Sequence, residues 1–163
     1  MKRMIVLMTV LGLLSGCGAA ETYELVTDEP VQQVSAQPRE MHFFLAEETA
    51  MPAMETDSGK LYLCGEYDVM SQIFDGGDLE RTIRQVSGFS PNDLTVIQTE
   101  SENVKKTEFV WTSAAEEGHR ICRATILDDG NYHYVLSIMS DAENAGELAE
   151  TWQQIMDSFN IAP

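Results

Sequence analysis

His119-Arg120-Ile121-Cys122-Arg123-Ala124-Thr125-Ile126-Leu127-Asp128-Asp129-Gly130-Asn131-Tyr132-His133-Tyr134-Val135-Leu136-Ser137-Ile138-Met139 is the stretch that decides the fold. Residues 119–127 and 132–139 are apolar runs of strand length, rich in β-branched and aromatic side chains. Between them Asp129-Gly130 suits the positive φ angles of a type I′ hairpin. Both faces of these strands are apolar: Ile121, Thr125 and Leu127 alternate with Cys122, Ala124 and Ile126, and Tyr134, Leu136 and Ile138 alternate with Val135 and Met139. A sheet wetted on one side would alternate apolar with polar more cleanly, so helices are expected on both sides.

Working outward, residues 94–99 and 104–113 also read as strands, and Glu117-Gly118 supplies the turn into 119. The region after Ser90-Pro91 is therefore expected to be a four-stranded antiparallel meander. Two earlier strands are expected at 41–46 (MHFFLA) and 60–67 (KLYLCGEY), separated by a loop with Pro52 and Asp57-Ser58-Gly59. Asp75-Gly76-Gly77 breaks the chain. Asp78 is placed to cap a helix whose apolar positions are Leu79, Ile83 and Val86, and Gly88 ends it as a C′ residue would. Downstream, Ser140-Asp141-Ala142-Glu143 has the form of a capping box. It leads into Ala145, Leu148, Ala149, Trp152, Ile155, Met156 and Phe159 at steps of three and four, a core-facing stripe. The fold class is α+β: an antiparallel sheet of about six strands with a mid-chain helix and a long C-terminal helix packed on it, forming one globular domain over 41–163.

This element order, with the Trp152 to Phe159 pattern (WQQIMDSF), resembles the PsbP and Mog1-like family. The resemblance implies a sandwich of sheet and helices. It also implies a non-enzymatic accessory or binding module, and it carries over no functional residue.

Hydrophobic residues at 44% and charged residues at 23% are the proportions of a globular chain able to bury a core. The balance of 10 Lys+Arg against 27 Asp+Glu gives a net charge of −17. Such a surface repels phosphates, so nucleic acid is not an expected partner, while cations and basic proteins are favoured at long range.

The N-terminus has a different character. Lys2 and Arg3 precede the apolar run 4–14 (MIVLMTVLGLL), and the small residues Ser15 and Gly16 follow, the layout of a secretory signal. As a helix the run would be about 16 Å long, roughly half the hydrocarbon thickness of a bilayer, too short for a permanent span. Leu14-Ser15-Gly16-Cys17 closely resembles the lipobox of bacterial lipoproteins. The resemblance implies cleavage after Gly16 and acylation of Cys17, which would hold the protein on the extracytoplasmic face of the cell membrane. The alternative is an ordinary signal peptide with a chance cysteine. Residues 17–40 are polar, carry Pro30 and Pro38 and lack periodicity, so they read as a flexible tether between Cys17 and the domain.

A search for catalytic chemistry finds none. His42, His119 and His133 occupy isolated strand positions without the spacing of zinc ligands. The sequence has no GxSxG elbow and no SxxK. The acid pairs Glu47-Glu48, Glu116-Glu117 and Asp128-Asp129 have no spacing that identifies an acid and base. Asp75-Gly76-Gly77-Asp78 and Asp128-Asp129-Gly130-Asn131 read as a helix cap and a turn, since neither fits a twelve-residue calcium loop. Cys64 and Cys122 either form one disulfide or remain two buried thiols in neighbouring strands. The expectation is a non-catalytic binding or accessory domain without a cofactor, whose partner is a protein or a cell-envelope component. A hydrolase whose site the spacing does not reveal and a structural subunit of a membrane complex are the rivals.

Overall fold

A computed structural model describes residues 37–45, 51–101, 104–114 and 118–163. The signal segment with Gly16 and Cys17, the tether up to residue 36, Glu47-Glu48 and Glu116-Glu117 lie outside the described residues. The elements are β1 (Met41–His42), β2 (Met54–Thr56), β3 (Gly59–Leu63), β4 (Tyr67–Asp75), α1 (Leu79–Ser87), β5 (Val96–Ser101), β6 (Val104–Ala114), β7 (His119–Asp128), β8 (Tyr132–Asp141), α2 (Ala149–Ser158) and β9 (Asn160–Ile161).

The fold is α+β, as expected. Among the described residues, seven strands form one antiparallel sheet in the order β2-β3-β4-β8-β7-β6-β5, and β1 pairs with β9 beside it. The two helices cover opposite faces. Trp152, Ile155 and Met156 of α2, with Phe159 just beyond it, pack on Tyr67, Val69, Leu127, Tyr134, Leu136 and Ile138. Ile83 of α1 packs on Phe109, Trp111, Cys122, Ala124, Ile126 and Val135. Alternate residues of β7 and β8 feed the two cores, which is why neither face of these strands is polar. Each large side chain that α2 buries contributes about 1.5–3 kcal/mol by removal of apolar surface from water.

Helix α1 begins and ends where expected: Asp78 Oδ1 accepts the N–H of Arg81 at 2.9 Å, and Gly88 closes it with φ 81°. Three local expectations are corrected. The segment read as one strand over 60–67 is the end of β3, a turn and the start of β4. Gly65 takes φ 81°, and Cys64 N–H donates to Tyr67 O at 2.9 Å across the bend. The strand that follows, β4, is where Tyr67, Val69, Ser71 and Ile73 alternate toward α2, and it lies directly beside β8. The short β2 completes a hairpin with β3 around Asp57-Ser58, in a region expected to be loop.

The capping box is the second correction. Ser140 is fully buried inside β8, where it pairs with Tyr67 on one side and Ile121 on the other. A ladder bond on each flank outweighs one side-chain cap, so the strand runs on to Asp141 and the helix proper opens at Ala149 after a string of turns. Third, the hairpin turn is centred one residue later than expected. Asp129 N–H donates to Tyr132 O at 3.3 Å, leaving Gly130, at φ 90°, and Asn131 as its central pair.

Candidate binding cleft

The end of β4, the first turns of α1, the tip of the β2–β3 hairpin and the start of β8 enclose a cleft of about 440 Å³. Asp57, Ser58, Asp75, Asp78, Arg81, Gln85 and Tyr132 supply its polar groups, with Phe74, Ile73 and Pro38 as apolar wall. Gly76 fixes one corner. Its N–H donates to Asn131 O at 2.8 Å, and a Cβ there would stand 2.7 Å from the Asn131 carbonyl. Only glycine lets the end of β4 lie this close to the β7–β8 hairpin.

Behind the cleft wall, α1 is pinned to the sheet by a buried polar pair. Thr82 Oγ1 lies 2.7 Å from His133 Nδ1, and His133 Nε2 lies 3.8 Å from Asp128 Oδ2. Thr82 and His133 are 2% and 1% exposed; Thr82 is part of the cleft lining and His133 is not. Their contact ties α1 to β8. Thr82 Oγ1 also donates to Asp78 O at 3.4 Å within the first turn of α1, so the hydroxyl joins the helix start to His133 Nδ1.

The same end of the β7–β8 hairpin carries a second network, with Tyr134 on the face that α2 covers. Asp129 Oδ1 accepts the N–H groups of Asn131 and Tyr132, each at 2.9 Å. Its Oδ2 accepts the Tyr134 hydroxyl at 3.1 Å and lies 3.5 Å from Arg39 Nε. Burial alone would raise the Asp129 pKa. The two backbone N–H groups, the Tyr134 hydroxyl and Arg39 together outweigh it and hold the carboxyl below the usual range. Tyr134 is displaced upward, first by burial and then by its bond to Asp129.

The residues singled out from the sequence do not converge. His42 is exposed on β1, His119 is exposed at the start of β7 beside Asp141 and Glu143, and His133 is buried at the far end of the sheet. Asp128 and Asp129 are both spent on the turn, Asp128 Oδ1 accepting the Gly130 N–H at 2.8 Å. Among the described residues, no three His, Cys, Asp or Glu side chains are grouped to hold a metal ion. Cys64 and Cys122 are not bridged to each other. Cys64 belongs to the core under α2 and Cys122 to the core under α1, so the sheet itself separates them. Nor do they sit on neighbouring strands: Cys64 lies in the turn between β3 and β4, and β8 stands between β4 and β7. Burial raises the Cys122 pKa, partly offset by Ser113 and Arg120. Sequence reasoning missed Arg81, Thr82, Gln85 and Arg39; nothing local marks them, because the cleft is assembled from segments distant in the chain.

No protein-family model matches the sequence. No curated protein matches it either. Solved structures align with much of the chain at low sequence identity. The solution structure of the cyanobacterial PsbP protein CyanoP from Synechocystis aligns with a TM-score of 0.49 at 8% identity, covering 80% of this chain and 96% of that one. The Pseudomonas aeruginosa protein PA94, of unknown function, aligns at 0.49 and 11% identity over 79% and 88% of the two chains. A Bacteroides thetaiotaomicron protein aligns at 0.46 and 10% identity over 76% of this chain, which spans only 42% of that protein's length.

Proposed function

We propose that this chain is a bacterial lipoprotein, held through an acylated Cys17 at the extracytoplasmic face of the cell membrane, with residues 41–163 acting as a non-catalytic binding or accessory domain. The observation that carries this reading is the order Lys2-Arg3, apolar 4–14, Leu14-Ser15-Gly16-Cys17. A thiol is the group that can form the thioether, and small residues before it let an extended backbone enter a peptidase cleft. Two or three acyl chains hold a domain stably where a single chain does not.

The cleft beside α1 supports the binding role. It presents donors and acceptors together, carboxylates from Asp57, Asp75 and Asp78 against Arg81 and Gln85, with an aromatic wall. That mixture suits recognition of a polar cell-envelope component or a protein segment.

Intact mass and membrane fractionation of the full chain beside a Cys17→Ala variant test the anchor. The wild type is expected to lose residues 1–16, gain acyl mass and sediment with membranes, while the variant does neither. Identical behaviour of the two overturns the anchor. Hydrolysis of ester, peptide or glycosidic substrates that a single substitution at Asp57, Asp75 or Asp78 abolishes would replace the binding role with a catalytic one.

A further inference from the structure

The segment that leads from the domain toward Cys17 also forms part of the cleft. Pro38 is one of its walls. The next residue, Arg39, is held twice at the β7–β8 hairpin: its N–H donates to the Tyr134 hydroxyl at 2.9 Å, and its Nε lies 3.5 Å from Asp129 Oδ2. Glu40 O accepts the Ala162 N–H at 2.9 Å. From Met41 onward the docking becomes apolar, with Met41, Phe43 and Leu45 packed against the core under α2 and Phe43 edge-on to Tyr62 at 5.6 Å. Residues 37–40 are themselves exposed. Among the described residues their position thus rests on a few polar contacts, and those beside Pro38 converge on Asp129 and Tyr134.

We infer that residues 37–40 are a latched strap: docking of Arg39 onto Asp129 and Tyr134 puts the Pro38 wall on the cleft, so cleft occupancy and the position of the segment leading to Cys17 are coupled. A segment held by few contacts opens locally at far lower cost than the whole fold. A ligand that touches Pro38 binds the docked form better than the open one. By linkage it draws the strap down, and an undocked strap weakens the ligand in equal measure. The ligand side of this coupling rests on the cleft being the binding site; the latch and the wall do not.

The test needs no ligand, so its outcome is separable from whether the cleft binds anything. The full chain with Cys17→Ser is given a reporter thiol by Gln85→Cys, on the α1 side of the cleft, and its reaction with an aromatic disulfide reagent is timed. A control thiol is placed by Gln98→Cys, in the separate hollow between α1 and β5. Arg39→Gln and, separately, Tyr134→Phe, which keeps the buried ring, are each expected to raise the rate at position 85 at least threefold and leave position 98 unchanged. An unchanged rate at 85 in either latch variant overturns the proposal. So does an equal rise at 85 and 98, which marks general loosening.

Discussion

The Tyr134 hydroxyl donates to Asp129 Oδ2 at 3.1 Å while accepting the backbone N–H of Arg39 at 2.9 Å. One phenol on β8 therefore links a hairpin turn to a residue 95 positions earlier in the chain. The Asp129 carboxyl, with its side chain 5% exposed, closes the turn from within. Asp129→Ala strands two backbone N–H groups and the phenol and is expected to cost about 1–3 kcal/mol in chemical denaturation. Asp129→Asn, which keeps an acceptor for the turn, is expected to cost less.

The same pair shapes the pH dependence. Asp129 has a lowered pKa in the fold, so its stabilisation is complete above the unfolded carboxyl value near 4 and is lost as pH falls through the lower folded value. Tyr134 has a raised one, so its contribution is complete below about 10 and is lost as pH climbs beyond that. In thermal melts across pH, Asp129→Asn is expected to flatten the acid limb and Tyr134→Phe the alkaline limb. A variant whose limb matches the wild type removes that group from the account.

Thr82→Val preserves shape but removes the hydroxyl opposite His133 Nδ1, leaving a buried ring nitrogen without its 2.7 Å partner. The expected cost is about 1–3 kcal/mol, and Thr82→Ser should recover most of it. Hydrogen exchange should localise the effect to α1 and the cleft wall. Uniform loss of protection across the sheet would mean the pair holds the whole fold.

Glu143 would be the reciprocal partner in a capping box, yet Ser140 lies inside β8 and its Oγ donates to Asp141 O at 3.2 Å. Glu143→Ala is therefore expected to change stability by less than about 0.5 kcal/mol, the range of an ordinary surface substitution. A loss near 1 kcal/mol, typical of a removed cap, would restore the box.

Because the sheet stands between Cys64 and Cys122, no bond joins them in the folded chain. Peptide mapping of the protein under oxidising conditions is expected to yield no Cys64–Cys122 cross-linked peptide. Cys122, 2% exposed and with a raised pKa, is expected to react with alkylating reagent far more slowly folded than unfolded.

Much of this fold was legible from periodicity alone. Residues 119–139 alternate apolar side chains onto both faces, and alternation is a local property that a two-faced sheet imposes directly. The α1 boundaries were equally readable, since Asp78 and Gly88 act within a few residues of themselves. The α2 stripe was also readable, but its beginning was not. Ser140 and Asp141 have the chemistry of a cap, and only the flanking strands β4 and β7 convert them to sheet. Gly65 concealed β4 in the same way, because whether a glycine bends or continues a strand depends on what lies opposite. The two cysteines were separated by which face of the sheet each residue met, a parity that spacing along the chain does not encode.

What the sequence determined by itself is whatever depends on near neighbours: the charge, the signal-like N-terminus, the two-faced strands and the helix α1 with its caps. Tertiary structure decided what depends on distant ones. It set β4 beside β8, centred the turn on Gly130 and Asn131, and brought Pro38, Asp57, Asp75, Arg81 and Tyr132 around one cleft. The physical reason is range. Backbone propensity and capping act over about one turn, whereas a ladder partner or a cleft wall comes from any point on the chain that burial draws in.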